Sequence, residues 1–510
     1  MRYPARRLAA MALCAALALS GCGRQQSPPD GQPAPSPSPT ASPAPVPAAQ
    51  ALTIGYTPSD GYNPYTANSS LVEQNAGLLF ESLVRIGPDM ALEYRLAESI
   101  TVAGTQAVIR VRAGCRFADG QEVTAQDVLA SLQAAQASGM YAGRFANVAG
   151  LRVQAGEVVV SLYQPDSLFA YLCDVPVLKS SEVGAAAPTA SGRYTYGAEG
   201  CLVKNPLAPF AEEGSPDTIY LYPVAGYDEM VSSFALGGLN LYAALQEADA
   251  SASISSLQSF YKTNNLVYLG VNAQSGIPLL DTAEGRALLS RLIDRRLIAE
   301  KSFYSRAYPA AGAINSFYPC VQDAQLIQAG QDTEGAAETL AALGYQPDPI
   351  SGYYTGADGA RLQVRLLVYS GNTYKRYAAN LLKELLAQQG VYVAVEEQDD
   401  FDIYTELVRS GQFELYIGEV KLYNNMDISP FLAGGALSAG LAQSEAVDAA
   451  YLAFKQDAGA AGAFERAFAA QMPFVPLVWR AGTVVTSRAV SGVSASLSDV
   501  FYSLGGLQTG

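Results

Sequence analysis

The 510 residues contain no histidine. That absence removes the commonest general base, every Ser-His-Asp or Cys-His nucleophile arrangement and the commonest transition-metal ligand. Basic residues are also scarce, 32 Lys and Arg against 47 Asp and Glu, which leaves a formal charge of −15 and argues against nucleic acid as a partner. No two of the six cysteines have the C-x-x-C spacing of a zinc or redox site. There is no G-x-S-x-G elbow and no phosphate-binding Gly-Lys-Ser or Gly-Lys-Thr, so an enzyme is not expected, nor any cofactor. One Trp, Trp479, stands beside 31 Tyr, a residue that offers a ligand both apolar area and a hydroxyl.

The N-terminus has the layout of a secretory signal over residues 1–21: Arg2, Arg6 and Arg7, an apolar run from Leu8 to Leu19, then Leu19-Ser20-Gly21-Cys22. The run is too short to span a bilayer, which takes about 20 residues. Leu-Ser-Gly-Cys resembles the bacterial lipobox, which makes Cys22 the expected lipidation site and membrane anchor. Residues 22–50 are almost entirely Pro, Ala, Ser and Gln, a composition that builds an extended tether and no core. The four remaining cysteines, Cys115, Cys173, Cys201 and Cys320, allow three disulfide pairings in an exported chain.

Past the tether, periodicity predicts a strand at Leu52–Tyr56, a helix over 71–83, and strands at 107–112 and 157–163. Thr124 to Asp127 reads as a capping box that opens a helix to about Ala137. Strand signals at 268–271, 362–369, 391–395 and 473–480 follow, with helices over 284–301 and 374–389. The strand, helix, strand run from Leu362 to Val395 implies a parallel pair with a crossover helix, hence an α/β layer.

These segments, in this order, resemble the bacterial extracellular solute-binding proteins of family 5, the oligopeptide, dipeptide and nickel-binding group. The strongest match is IRVRAGCRFADGQEVTAQDVLASL from Ile109; NPYT at Asn63, LLFESLVRI at Leu78, PTASGRYTY at Pro188, YLGVNAQ at Tyr268, FELYIGEV at Phe413 and MPFVPLVW at Met472 surround it. The resemblance implies a two-lobed, periplasmic-binding-protein-like α/β fold of class II with an extra domain inserted in the first lobe. By analogy the first lobe comprises 51–81, 178–265 and 483–510, the insert 82–177 and the second lobe 266–482. The implied function is capture of peptides or peptide-like solutes for an ABC permease, by a monomer that closes over its ligand. An envelope sensory lipoprotein of the same fold, or a binder of a metal chelate or glycoside, is the alternative; nickel held directly by His is excluded.

The family fixes peptide ends with charges, the acidic anchor lying past an apolar strand of the second lobe. The matching segment is LYIGEVKLYNNMDISPFL, which offers Glu419, Lys421, Tyr423, Asn425 and Asp427 as ligand-binding residues. If the strand continues past Gly418, alternation puts Glu419, Lys421 and Tyr423 on one face. Asn68 and Ser69 after the first strand, and Ser370 and Asn372 after the strand ending at Tyr369, are further candidates because loops at strand C-termini face the crevice of open α/β sheets. Trp479 is either a ligand platform or core.

Overall fold

The longest strand begins at Ser256 and ends at Val271, and its partner runs from Phe474 to Ser487; the pair is antiparallel and belongs to both halves of the molecule. The structure, a computed structural model, describes residues 51–198, 200–244, 256–324 and 326–509. The signal, the tether and Cys22 lie outside them.

In the N-terminal half, β1 (Leu52–Tyr56) precedes four short strands, β2 (Ala97–Ala103), β3 (Gln106–Val111), β4 (Val148–Gln154) and β5 (Glu157–Leu162). Next come β6 (Tyr194–Tyr196), β7 (Cys201–Lys204), β8 (Thr218–Pro223), β9 (Leu241–Ala244) and the long β10 (Ser256–Val271). The C-terminal half holds β11 (Ala307–Pro309), β12 (Gln363–Tyr369), β13 (Tyr392–Gln398), β14 (Leu415–Lys421) and β15 (Phe474–Ser487). The main sheet has the order β13-β12-β14-β10-β15-β9-β1-β8-β7-β6, with β11 joining β15. A separate antiparallel sheet, β2-β3-β5-β4, lies within residues 97–162.

Sequence explains much of this. Helix α1 (Ser70–Leu79) is capped by Ser69, which accepts from the Leu71 amide. It stops four residues short of the expected Leu83 because Phe80 turns extended and its N–H closes on the Ala76 carbonyl. Helix α2 (Ala125–Ala137) carries the reciprocal Thr124–Asp127 capping box. Between β12 and β13 runs α3 (Thr373–Ala387), and the two strands pair in parallel from Gln363 opposite Tyr392 to Tyr369 opposite Gln398. Gly390, at φ +77°, permits the reversal after α3. The expected helix over 284–301 is broken: it covers Ala283–Arg291, and Asp294 then accepts from the amides of Arg296 and Leu297 to start a new turn.

Two interruptions mark the β10–β15 ladder. Pro476 has no N–H to give, and the register slips there, Val267 facing Val478 while Tyr268 faces Pro476. The second falls between Lys262 and Leu266, where Thr263, Asn264 and Asn265 have no regular partners. One hydrophobic core lies on each side of this bulge: Leu52, Ile109, Phe117 and Ile219 anchor one, Tyr268, Phe431, Phe464, Phe474 and Trp479 the other. The molecule is therefore two-lobed and α/β. Across β10 and β14, Tyr268 lies opposite Gly418 and Tyr416 opposite Gly270, and the two hydroxyls meet at 3.0 Å. A side chain at either glycine would collide with the facing ring.

The four cysteines allowed to pair, Cys115, Cys173, Cys201 and Cys320, are free thiols. Helices α4 (Glu445–Gln456) and α5 (Ala461–Gln471) pack beneath the second core. From α5 the Glu465 carboxylate, 2% exposed, accepts the amides of Ile314 at 2.8 Å and Ala313 at 3.1 Å. Burial pushes its pKa from 4.5 up to about 7, against the two amides that favour the charged form. The folded protein thus holds this proton more tightly than the unfolded chain. The contribution is complete below about pH 4.5 and lost as pH rises through about 7. Glu465→Gln cannot titrate but keeps an acceptor for only one of the two amides, so it should lose a constant increment at every pH while gaining about 2–3 kcal/mol on the parent between pH 4.5 and pH 8 in urea unfolding. A stability difference between the two proteins that is the same at both pH values would contradict this.

Candidate functional site

The bulge in β10 supplies the floor of a cavity of about 440 Å³. Alternation aims Tyr261, Thr263 and Asn265 into it. Helix α1 adds Glu73, Gln74 and Gly77; residues 81–95 add Glu81, Arg85 and Arg95; Tyr141, Arg144, Asp174 and Arg193 come from the segments that follow. Strand β14 faces them with Glu419 and Lys421, and Leu497 to Val500 close one side. Residues of both lobes therefore meet round one space.

The lining carries Arg85, Arg95, Arg144, Arg193 and Lys421 against Glu73, Glu81, Asp174, Glu419 and Asp499, equal in number. Most are already committed to short pairs: Arg95 with Glu81 at 2.9 Å, Arg144 with Asp174 at 2.6 Å, Arg193 with Asp499 at 2.8 Å, and Arg85 with Glu93 at 2.9 Å. Glu419 is held from behind by Lys375 at 3.1 Å and Arg480 at 3.3 Å. Burial works to raise its pKa, but those two cations outweigh it and hold the carboxyl below its usual range. Two groups remain uncommitted. Glu73 reaches Arg144 only at 3.9 Å, and Lys421 has no ion pair among the described residues.

Behind the cavity, the lobes are fastened by a buried polar network. Asn264 donates to Tyr318 Oη at 2.8 Å and to Asn424 Oδ1 at 3.1 Å, and Asn424 donates on to Asp174 at 2.8 Å. Next to it Asn425 donates to Asp166 at 2.6 Å, and Lys455 from α4 pairs with the same carboxylate at 2.6 Å. Asp174 is thus shared between Asn424 and the cavity-lining Arg144.

The model of the bacterial extracellular solute-binding proteins, family 5 (middle region), matches residues 91–434, more than half of the chain. The chain belongs to this family. It is the solute-binding component of an ABC importer. A glutathione-binding protein GsiB of Escherichia coli O1:K1 is 24% identical over 381 residues, which cover 69% of this chain and 70% of that one. The unliganded open form of the murein tripeptide-binding protein MppA superposes with a TM-score of 0.73 at 17% identity, over 90% of this chain and 97% of that one. A nickel ABC transporter protein of Bacillus halodurans gives 0.72 at 15%, over 90% and 99%.

In this family 5 protein, Glu419 and Lys421 line the cavity and the other residues expected from sequence do not. Strand β14 ends at Lys421, so Tyr423 leaves the alternation; the residue is 44% exposed and its hydroxyl packs against Gly143. Asn425 is spent on Asp166, and Asp427 accepts from Tyr451 Oη at 2.6 Å and the Ser429 amide at 2.9 Å. Ser69 and Asn372 cap α1 and α3, Asn68 is exposed, and Ser370 gives its amide to the Gln398 carbonyl. Trp479 is fully buried; opposite Leu266 it points away from Asn265 and Glu419 and into the second core. Of these, Asn372 serves the site indirectly, since the helix it caps presents Lys375 to Glu419.

Glu73, Glu81, Arg95, Arg144, Asp174, Arg193 and Asp499 escaped the sequence reading. One signal was available: Glu81 in LLFESLV and Asp174 in YLCDVPVL are lone charges in apolar runs, where a buried charge must find a partner. Lys455→Met should strand the fully buried Asp166 carboxylate and cost about 3–5 kcal/mol in chemical unfolding. Adding Asp166→Asn should recover most of that loss, whereas additive losses would show that the two side chains act independently.

Proposed function

We propose that this protein captures short peptides or peptide-like zwitterions between its lobes and hands them to a membrane permease, without turning them over. The observation that carries this reading is the cavity itself: about 440 Å³, lined from both lobes, with equal numbers of acidic and basic side chains. That volume lies in the usual range for small-ligand sites. A net-neutral lining disfavours a strongly charged solute and suits one that carries both signs. The relatives named for glutathione and for a murein tripeptide agree with that chemistry.

Around this site we assign the first lobe to 51–81, 178–265 and 483–510, the insert to 82–177 and the second lobe to 266–482; the β10 bulge at 263–265 supports the division. Export by the signal at 1–21 and anchoring through a lipid on Cys22 would hold a monomer outside the membrane, on the tether of 22–50. No described helix is long and apolar enough to cross a membrane.

Native mass spectra of the protein purified from a peptide-rich host, before and after mild unfolding, test the reading. A removable set of masses matching short peptides is expected. A protein that carries none, and whose melting temperature is unmoved by pooled dipeptides, tripeptides and glutathione, would overturn it. Cys22→Ala should move the protein from the membrane fraction to the soluble one; unchanged membrane retention would contradict the anchor.

A further inference from the structure

We propose that Glu73 and Lys421 are the two terminal anchors of the solute, the amino group held by Glu73 on the first lobe and the carboxylate by Lys421 on the second. This rests on the peptide-like reading above. It follows from which charges in the cavity are still free to act. A carboxylate or guanidinium already in a short, shielded ion pair gains little from a further partner, because its charge is compensated and its hydrogen-bonding sites are taken. Arg95, Arg144 and Arg193 are compensated at 2.6–2.9 Å, and Glu419, the acidic residue the sequence favoured, sits between two cations at 3.1 and 3.3 Å.

The Lys421 ammonium has no ion pair or hydrogen bond among the described residues, and the Glu73 carboxylate only the 3.9 Å approach to Arg144. Both side chains line the same cavity, and both act electrostatically on Asp174, which lines it too. A cavity of about 440 Å³ holds a peptide of a few residues. Glu73 lies in the first turn of α1 and Lys421 at the last position of β14. The anchors therefore belong to opposite lobes, and only a form with the lobes together satisfies both ends of the solute. That supplies the differential affinity that shifts a binding protein toward closure.

The test is a cycle between protein and ligand chemistry. Binders are selected from the dipeptide, tripeptide and glutathione pool, and each is measured free, N-acetylated and C-amidated against the parent, Glu73→Gln and Lys421→Met. Either blocking group should weaken binding to the parent by about tenfold or more. Glu73→Gln should abolish only the penalty of acetylation, and Lys421→Met only that of amidation, each to within about twofold. Unaltered melting temperatures identify variants that fold as the parent does. Penalties that persist in the matching variant, or that vanish in the opposite one, overturn the assignment while leaving peptide binding intact. If no member of the pool binds the parent, the peptide reading fails and the anchors fail with it.

Discussion

The antiparallel ladder between Ser256–Val271 and Phe474–Ser487 is the constraint on which the rest depends. Among the described residues its partners on either side come from opposite halves of the main sheet: β9 and β1 on one flank, β14 and β12 on the other. A continuous ladder would make the molecule a rigid slab. Three polar residues with no register partner on Phe474–Ser487, Thr263, Asn264 and Asn265, break it at the junction, and two of them, Thr263 and Asn265, line the cavity floor there.

The interruption is paired internally and leaves no loose end. Thr263 donates to the Arg480 carbonyl at 2.6 Å, Asn315 reaches the Thr263 carbonyl and Asn264 at 3.0 Å, and Asn264 continues through Asn424 to Asp174. The side chains of Thr263, Asn264, Asn315 and Asn424 each have a partner, which is the condition for such a network to specify one arrangement. Arg144, at its end, is part of the cavity wall. Cavity wall and lobe contacts therefore share atoms. The same economy explains why so few wall charges are free: the arginines keep their orientation by ion pairs that also neutralise them, leaving Glu73 and Lys421 without a short ion pair.

Much of the fold was legible because local rules and tertiary packing agree. The capping box at Thr124, the parallel pair around α3 and the stop at Gly390 are all observed where the pattern puts them. The long strands were legible only at their apolar ends. Tyr268–Val271 reads as strand, but Ser256 to Asn265 is polar and irregular, since there it serves as cavity floor and crossing and cannot be uniformly apolar. The site was less legible. A strand pattern could place Glu419 and Lys421 on one face, yet nothing local reveals that Lys375 and Arg480 already hold the former. The opposite wall, from Glu73 to Asp499, is assembled from segments hundreds of residues apart, and periodicity carries no information about such meetings.

A crystal structure of the protein with a captured solute is the most direct test of the claim that the interrupted ladder is the floor of a site closed by both lobes. Density is expected over Tyr261, Thr263 and Asn265, touching α1 on one side and the end of β14 on the other. A solute bound elsewhere, or in contact with one lobe alone while the lobes stand together, would contradict it.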